Sequence, residues 1–213
     1  DPALTDGCPR AITLASGLDA ITQVIEPYVC TRANPLTDAL CRDAIPRGLS
    51  ALIRLMQAED AQARDEMAWV SLCGGLALAN AGLGAVHGLA GPLGGLTCAA
   101  HGAICGVLLP HVLIANRAAV TDAALAARLD QVGRWIAAAF DRTDGALAPS
   151  AAHLADWARA SGLPGLTALG VDAAVELRVV GREGAAQAVA RRGRLIRGEV
   201  GRHDVVRAHR ESG

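Results

Sequence analysis

The sequence contains no lysine and very few aromatic residues. All 20 basic residues are arginines, and the 21 acidic residues leave a formal net charge of −1. A nearly neutral chain lacks the positive surface with which proteins bind nucleic acid phosphates, so we expect no nucleic acid partner. Only 2% of the residues are aromatic, whereas 52% are hydrophobic. The core must therefore consist of small aliphatic side chains, which favours closely packed helices over a β-sandwich.

The cysteines lack the C-x-x-C spacing that is typical of metal clusters and redox sites. Several stand among apolar residues, where a free thiol packs as a small hydrophobic group. The first residues also lack the basic and apolar regions of a secretory signal. We therefore expect reduced cysteines and a cytoplasmic protein. The six cysteines are Cys8, Cys30, Cys41, Cys73, Cys98 and Cys105.

A long stretch of the chain carries no charge, because no Asp, Glu, Lys or Arg occurs between Met67 and Asn116. The stretch is long enough for two membrane spans, which makes a pair of membrane helices one alternative. Glycines, prolines and three histidines interrupt it, however, and no aromatic belt flanks it. We therefore expect no membrane contact and predict an apolar helix that is buried at the centre of a soluble domain.

Apolar residues recur at helical spacing along most of the chain, and no run alternates as a strand would. Asn34 and Pro35 indicate a helix start, with Asn34 as the N-cap, and Thr121-Asp122 caps a later helix. The glycine-rich segment 87–97, which contains Pro92, is predicted to be an irregular turn. One all-α domain is expected, with helices over about 11–31, 34–56, 59–81, 98–116, 121–140 and 149–161.

The stretch from Gly82 to Val112 holds three of the six histidines and no charged residue. His87 and His101 are each followed directly by a glycine, whereas His111 follows a proline and is predicted to be structural. Imidazoles in an apolar, glycine-rich surrounding indicate a metal site or a proton-transfer site. The simpler alternative is that each histidine is a hydrogen-bonded core residue.

An acidic partner for these histidines is available on the first predicted helix. Asp19 and Gln23 are four residues apart and therefore share one helix face. Asp and His ligands from different helices, with one position left open, are typical of a catalytic metal site. Asp19 also fits a surface residue or a helix-capping acid, so the spacing alone leaves both interpretations open.

Five stretches of the sequence have a distinctive pattern: GLDAITQVIEPYV at 17–29, ANPLTDAL at 33–40, ARDEM at 63–67, ANAGLGAVHGLAGPLGG at 79–95 and HGAICGVLLPHV at 101–112. In this order they closely resemble the iron-containing (group III) alcohol dehydrogenase family, and the similarity covers residues 1–172. The resemblance implies that family's all-helical C-terminal domain, which has a dehydroquinate synthase-like fold. The family's N-terminal dinucleotide-binding domain, with its glycine-rich phosphate loop, is expected to be absent from this chain.

The resemblance also implies a metal site. Members of the family hold the metal with an Asp, a His four residues later and two further His. Asp19 matches the first ligand, and His87 and His101 match the last two and are the expected catalytic histidines. Gln23 stands at the position of the second ligand, and Gly91 stands where many members have an additional His. The implied ligands are thus Asp19, Gln23, His87 and His101.

Gln23 leaves the cofactor chemistry open. A glutamine carbonyl is a poorer ligand for iron or zinc than an imidazole, although three strong ligands suffice for a catalytic site. In one interpretation a divalent metal, iron or zinc, is bound more weakly, with Gln23 as the fourth ligand or beside the ligands. In the other, His87 or His101 transfers protons without a tightly held metal.

The resemblance implies an oxidoreductase that acts on a CH–OH group or a carbonyl with NAD or NADP, present here as the helical half. The metal would polarise the substrate oxygen, and the missing domain would hold the nicotinamide. Small alcohols, aldehydes or keto acids are the expected substrates, the last because maleylacetate reductases also depart from the usual metal pattern. A homo-oligomer is one option for its assembly. The alternative function is a non-catalytic helical fragment or subunit that needs a separate nucleotide-binding domain.

The resemblance ends at about Asp172, and residues 173–213 form a divergent, Arg-rich tail. Members of the family have Ala-rich helices in its place. A shifted reading frame in a GC-rich gene is one hypothesis for this tail, and resequencing the gene tests it, since an intact frame would exclude it. Acidic residues are interspersed among the arginines, so the tail is not expected to bind nucleic acid.

Overall fold

The computed structural model describes residues 1–172, and within them every regular element is a helix, which confirms the all-α prediction. The predicted tail of residues 173–213, with His203 and His209, lies outside the described residues. A short 3-10 helix at Pro2–Thr5 precedes the α-helices α1 Arg10–Tyr28, α2 Pro35–Leu55, α3 Ala61–Ala81, α4 Ala85–Leu96, α5 His101–Ala119, α6 Ala123–Ala139 and α7 Leu147–Ala160.

Polar side chains cap the starts of three helices. The Asn34 side chain accepts hydrogen bonds from backbone N–H groups in the first turn of α2, where Pro35 is the first helical residue. Asp60 and Asp122 cap α3 and α6 through the same kind of bond. These bonds satisfy N–H groups that the start of a helix leaves without a partner. The predicted N-cap at Asn34 and the predicted cap at Asp122 are confirmed.

The predicted irregular turn over 87–97 is wrong, because these residues belong largely to α4. Burial of one apolar face of this helix outweighs the backbone hydrogen bond that is lost at Pro92. As a result, His87 lies in the first turn of a helix rather than in a loop. The buried residues of α4 recur at helical spacing: Val86, Leu89, Ala90 and Leu93.

Helices α1 and α5 form the centre of the domain. Helix α1 contacts α2, α3 and α5, and α5 also contacts α4, α6 and α7. Two glycines allow α5 to lie close against α1. A Cβ on Gly102 would stand 2.5 Å from the carbonyl oxygen of Ala15, and one on Gly106 would stand 2.6 Å from a methyl group of Leu18. This close approach brings the first turn of α5 next to the middle of α1.

Helix α5 is long and apolar enough to cross a membrane, and so is the pair of α3 and α4 if it is counted as one span. The axes of that pair, however, are bent by 103° at the break between them. Of the apolar 18-residue stretch within α5, 61% is buried inside the domain. Core helices of soluble proteins can be equally long and apolar. The place of α5 at the centre of the domain agrees with the predicted buried helix.

A polar cluster joins α6 to α1 and α2, and we call Arg128, Asp38 and Tyr28 the Arg128 cluster. Arg128 Nε donates a hydrogen bond of 2.6 Å to the carbonyl oxygen of Tyr28, and its two terminal nitrogens donate to the carboxylate of Asp38. The guanidinium carbon also lies 4.2 Å from the centre of the Tyr28 ring. This bidentate, stacked geometry is one that lysine cannot supply.

Candidate metal centre

Four potential ligands from three helices meet beside the α1–α5 contact. Asp19 lies on α1, His87 on α4, and His101 and Cys105 on α5, and their ligand atoms all lie within 4.8 Å of one another. Asp19, His87 and His101 are three of the four ligands that the sequence predicts. Cys105 was not among them. Together with Glu26, which contacts His87, these residues form what we call the His87 cluster.

His87 lies between two carboxylates, and its side chain is only 10% exposed. Its Nδ1 is 2.7 Å from a carboxylate oxygen of Glu26, and its Nε2 is 3.1 Å from Oδ1 of Asp19. The contact with Glu26 fixes the ring and assigns a proton to Nδ1, so Nε2 is the nitrogen that can bind a metal. A histidine ligand that is oriented by a carboxylate is a frequent arrangement around protein-bound metals.

The two carboxylates also determine the protonation of this site. Burial alone would lower the pKa of His87, but hydrogen bonds to Asp19, Cys105 and Glu26 raise it to about 12. Burial raises the pKa of Asp19, and the interactions with His87 and His101 more than offset this, so the pKa of Asp19 is lowered. The imidazole is therefore held in its cationic form, and a divalent cation at Nε2 would displace a proton.

Glu26 also belongs to this cluster, although its context in the sequence does not single it out. Its side chain is buried, and besides contacting His87 it accepts a 2.7 Å hydrogen bond from the backbone N–H of Val86. A Cβ on Gly84 would stand 2.7 Å from the same carboxylate oxygen, so a glycine at the start of α4 leaves room for this contact. The available signal was spacing, because Glu26 follows Asp19 by two helical turns and lies on the same face.

His101 and Cys105 are one turn apart on α5. His101, the first residue of that helix, is exposed, whereas Cys105 is fully buried. The Cys105 sulfur lies 3.5 Å from Nε2 of His101, and the rings of His87 and His101 have their centres 5.4 Å apart. Burial raises the pKa of the Cys105 thiol to about 11, so this thiol stays protonated at neutral pH unless a cation replaces its proton.

The two positions at which the sequence departs from the family pattern lie in different surroundings. The amide oxygen of Gln23 is 3.3 Å from where a Cβ on Gly74 of α3 would stand. Gly91 is exposed on α4, one turn after His87, and a Cβ there would meet no atom within 4 Å. The predicted role of Gln23 as a metal ligand therefore stays a prediction, and position 91 has space for a larger side chain.

The donor set of the His87 cluster suits a divalent transition metal. Two imidazoles and a carboxylate are the usual ligands of catalytic zinc and of non-haem iron. A cavity of about 360 Å³ adjoins Asp19 and provides space for a small molecule beside these ligands. It is lined mostly by apolar residues, among them Ala11, Ile12, Leu14, Ala15, Ala103, Leu163 and Leu169.

Comparison with known proteins identifies relatives of the whole helical domain. Residues 13–189 match the family model of the Fe-containing alcohol dehydrogenase family, C-terminal. Over 131 residues the chain is 45% identical to 1,3-propanediol dehydrogenase from Klebsiella pneumoniae, a match that covers 58% of this chain and 33% of that protein. Lactaldehyde reductase from Escherichia coli K12 is 41% identical over 116 residues, which cover 54% of this chain and 30% of the relative.

Solved structures show the same fold. A crystal structure of 1,3-propanediol oxidoreductase superposes with a TM-score of 0.75 at 30% identity, covering 100% of this chain and 55% of the other. Maleylacetate reductase from Rhizobium sp. strain MTP-10005 superposes with a TM-score of 0.74 at 22% identity over 100% of this chain and 55% of the other. The chain thus spans about a third of the curated relatives it matches and about half of the solved chains. It belongs to the Fe-containing alcohol dehydrogenase family and corresponds to the C-terminal helical part of that family.

Proposed function

We propose that this chain is the metal-binding and substrate-binding part of an NAD- or NADP-dependent alcohol dehydrogenase or carbonyl reductase. The observation that carries this proposal is the convergence of Asp19, His87 and His101 from three separate helices on one point. The family relation supports the general class of alcohol oxidoreductase. We assign this role to residues 1–172 and propose residues 173–213 as a divergent tail, although the match to the family model continues to residue 189.

The metal we propose is a divalent ion, iron or zinc, held by Asp19, His87 and His101. When bound, such an ion supplies Lewis-acid chemistry, lowering the pKa of an alcohol and stabilising the developing alkoxide. Asp19 contributes negative charge, which favours a cation at this buried position. Glu26 holds His87 with Nε2 directed at Asp19, which preorganises the site. Gln23 is proposed to lie beside these ligands rather than to replace one of them.

His101 is the exposed imidazole of the pair, whereas His87 is locked between two carboxylates. In the alternative without a tightly held metal, a histidine would have to reach substrate or solvent to exchange protons, so His101 would then be the better proton carrier of the two. His87 is proposed to act mainly by holding the metal. With a metal bound, both predicted catalytic histidines would serve as its ligands, and His87 would give up its Nε2 proton on binding.

The substrate class that we propose is a small alcohol or the corresponding aldehyde or keto acid. The apolar cavity beside Asp19 supports a small substrate with an aliphatic part. Among the relatives, one is named for 1,3-propanediol and another for lactaldehyde, which are both small oxygenated molecules.

Residues 1–172 contain no strand and so no βαβ unit, and we therefore assign the nicotinamide to a separate nucleotide-binding domain. A cytoplasmic location and a homo-oligomeric assembly belong to the same proposal.

Metal analysis and turnover test this function together. The purified chain is analysed for iron and zinc and then assayed with NADH or NADPH and a small aldehyde, alone and joined to the part of 1,3-propanediol dehydrogenase that this chain does not match. We expect a bound divalent metal, turnover only when the second domain is present, and loss of turnover in His87→Ala. A chain that binds no divalent metal and gives no turnover in either form would contradict the proposal and favour a non-catalytic helical module.

A further inference from the structure

Cys105 differs from the other buried cysteines of the domain in what surrounds it. Cys41 and Cys73 are also fully buried within the hydrophobic core, but neither belongs to the group of potential ligands. The Cys105 sulfur lies 3.5 Å from Nε2 of His101 and within 4.8 Å of ligand atoms of Asp19 and His87. A thiol that serves only as a small hydrophobic group has no reason to face three polar ligand atoms.

Two of the six separations among the four donor atoms match those around one tetrahedral ion. A tetrahedral zinc ion has bonds of about 2.0–2.1 Å to nitrogen or oxygen and about 2.3 Å to sulfur. Two neighbouring donors are then about 3.3 Å apart if they are N and O, and about 3.5 Å apart if they are N and S. The observed distances are 3.1 Å between His87 Nε2 and Asp19 Oδ1 and 3.5 Å between Cys105 Sγ and His101 Nε2. Both pairs are thus already spaced as edges of such a site.

We propose that the Cys105 thiolate is the fourth ligand of this metal site and that it gives the site a preference for zinc over harder divalent ions. The inference rests on the proposed metal-binding function. In it, the fourth ligand comes from Cys105 on α5 and not from Gln23 on α1. On binding, the Cys105 S–H bond breaks, its proton leaves to solvent, and the sulfur electron pair forms the bond to the metal. Thiolate ligands favour zinc, whereas carboxylate and water ligands suit magnesium and manganese.

Cobalt substitution tests this assignment in the full chain. Co²⁺ replaces zinc in such sites, and a thiolate ligand gives an intense near-ultraviolet band for sulfur-to-cobalt charge transfer that nitrogen and oxygen ligands do not produce. We expect the wild-type Co²⁺ complex to show this band. The variant Cys105→Ser should lose the band and bind Zn²⁺ about 100-fold more weakly in a chelator competition, with Mn²⁺ affinity close to the wild-type value.

Two control variants make the result specific. Cys98→Ser removes an exposed thiol between α4 and α5 and should retain the band. Gln23→Ala should also retain it, because Gln23 is not the fourth ligand in this proposal. Bound Co²⁺ without the band in the wild type, or a band that persists in Cys105→Ser, would overturn the Cys105 assignment and leave the metal function standing. Failure of the wild type to bind Co²⁺ or Zn²⁺ at all would overturn both.

Discussion

The Arg128 cluster and the His87 cluster are both polar groups set into the same apolar core, yet they differ in balance. In the Arg128 cluster one guanidinium meets one carboxylate and one carbonyl oxygen, so the charges cancel and the donors have acceptors. In the His87 cluster two carboxylates face one shared imidazole, with a second imidazole and a thiol beside them. Two carboxylates face one cationic imidazole, so the negative charge is not balanced, which is the state expected of a site that takes up a cation.

This comparison separates a structural polar cluster from a binding one. A partly buried ion pair whose charges balance within the chain needs no ligand, and its loss affects folding. A cluster of converging ligand atoms with unbalanced negative charge can take up a cation, and its loss affects binding. Variants in the two clusters should therefore change different measurements.

The largest effect is expected from His87→Ala, which removes the central ligand. Metal affinity should fall by more than about 100-fold, because the loss of a residue that merely supports a ligand already costs about 10-fold to 100-fold. Isothermal titration with Zn²⁺ measures this. His153→Ala is the control, since it removes a half-buried imidazole that packs against Phe140 far along the chain. Equal Zn²⁺ affinity in both variants would contradict the role of His87.

The next largest effect is expected from Arg128→Ala, and it concerns stability rather than binding. The free energy of unfolding should fall by about 2 kcal/mol, because charged hydrogen bonds to Asp38 and Tyr28 are lost. Urea unfolding measures the change. The control Arg117→Ala, which breaks a more exposed pair with Asp130, should cost about 0.5 kcal/mol. If the two variants lose the same stability, the Arg128 cluster has no special structural role.

Glu26→Gln tests the carboxylate that orients His87. Glutamine keeps the shape of the side chain and can still accept from the Val86 N–H, but it presents an uncharged group to His87. We expect Zn²⁺ affinity to fall by about 10-fold. Glu66→Gln on α3, a carboxylate paired with Arg54, should leave that affinity unchanged. Unaltered Zn²⁺ binding by Glu26→Gln would remove Glu26 from the metal centre.

The smallest effect concerns acid stability of the Arg128 cluster. The hydrogen bond from Arg128 lowers the pKa of Asp38 and outweighs the opposing effect of partial burial. Because the folded-state pKa is below the unfolded value of about 3.9, this stabilisation is present above about pH 4 and is lost as the pH falls through the folded-state pKa. The free energy of unfolding, measured in urea at pH 7 and at pH 3, should therefore fall less in Asp38→Asn than in the wild type. An equal fall in both proteins would contradict the role of Asp38 in acid stability.

Much of the fold was predictable because the signals are local. Asn34 followed by proline predicts the start of α2, and apolar spacing predicts the helices. The error at α4 came from giving Pro92 more weight than the buried face around it, since a proline costs one hydrogen bond whereas burial of a whole face involves several side chains. Tertiary packing decided between the two, and a single sequence does not contain that balance.

The candidate site was predictable only in part. His87 and His101 stood out as imidazoles in apolar surroundings, whereas Asp19 was indicated as a ligand by the family resemblance, and the structure brings the three together. Cys105 was missed because in the sequence it resembles a small core residue. Glu26 was missed because it resembles any acidic residue of a helix. Their roles depend on which helix faces which, and the close contact of α1 with α5 at Gly102 is visible only in three dimensions.

Anomalous diffraction from crystals grown with Zn²⁺ would show whether the His87 cluster is a metal site. Data collected on either side of the zinc absorption edge locate the ion independently of any assay. We expect an anomalous peak within bonding distance of Asp19 Oδ1, His87 Nε2 and His101 Nε2. Zinc bound elsewhere in the crystal, with no peak between these three atoms, would contradict it.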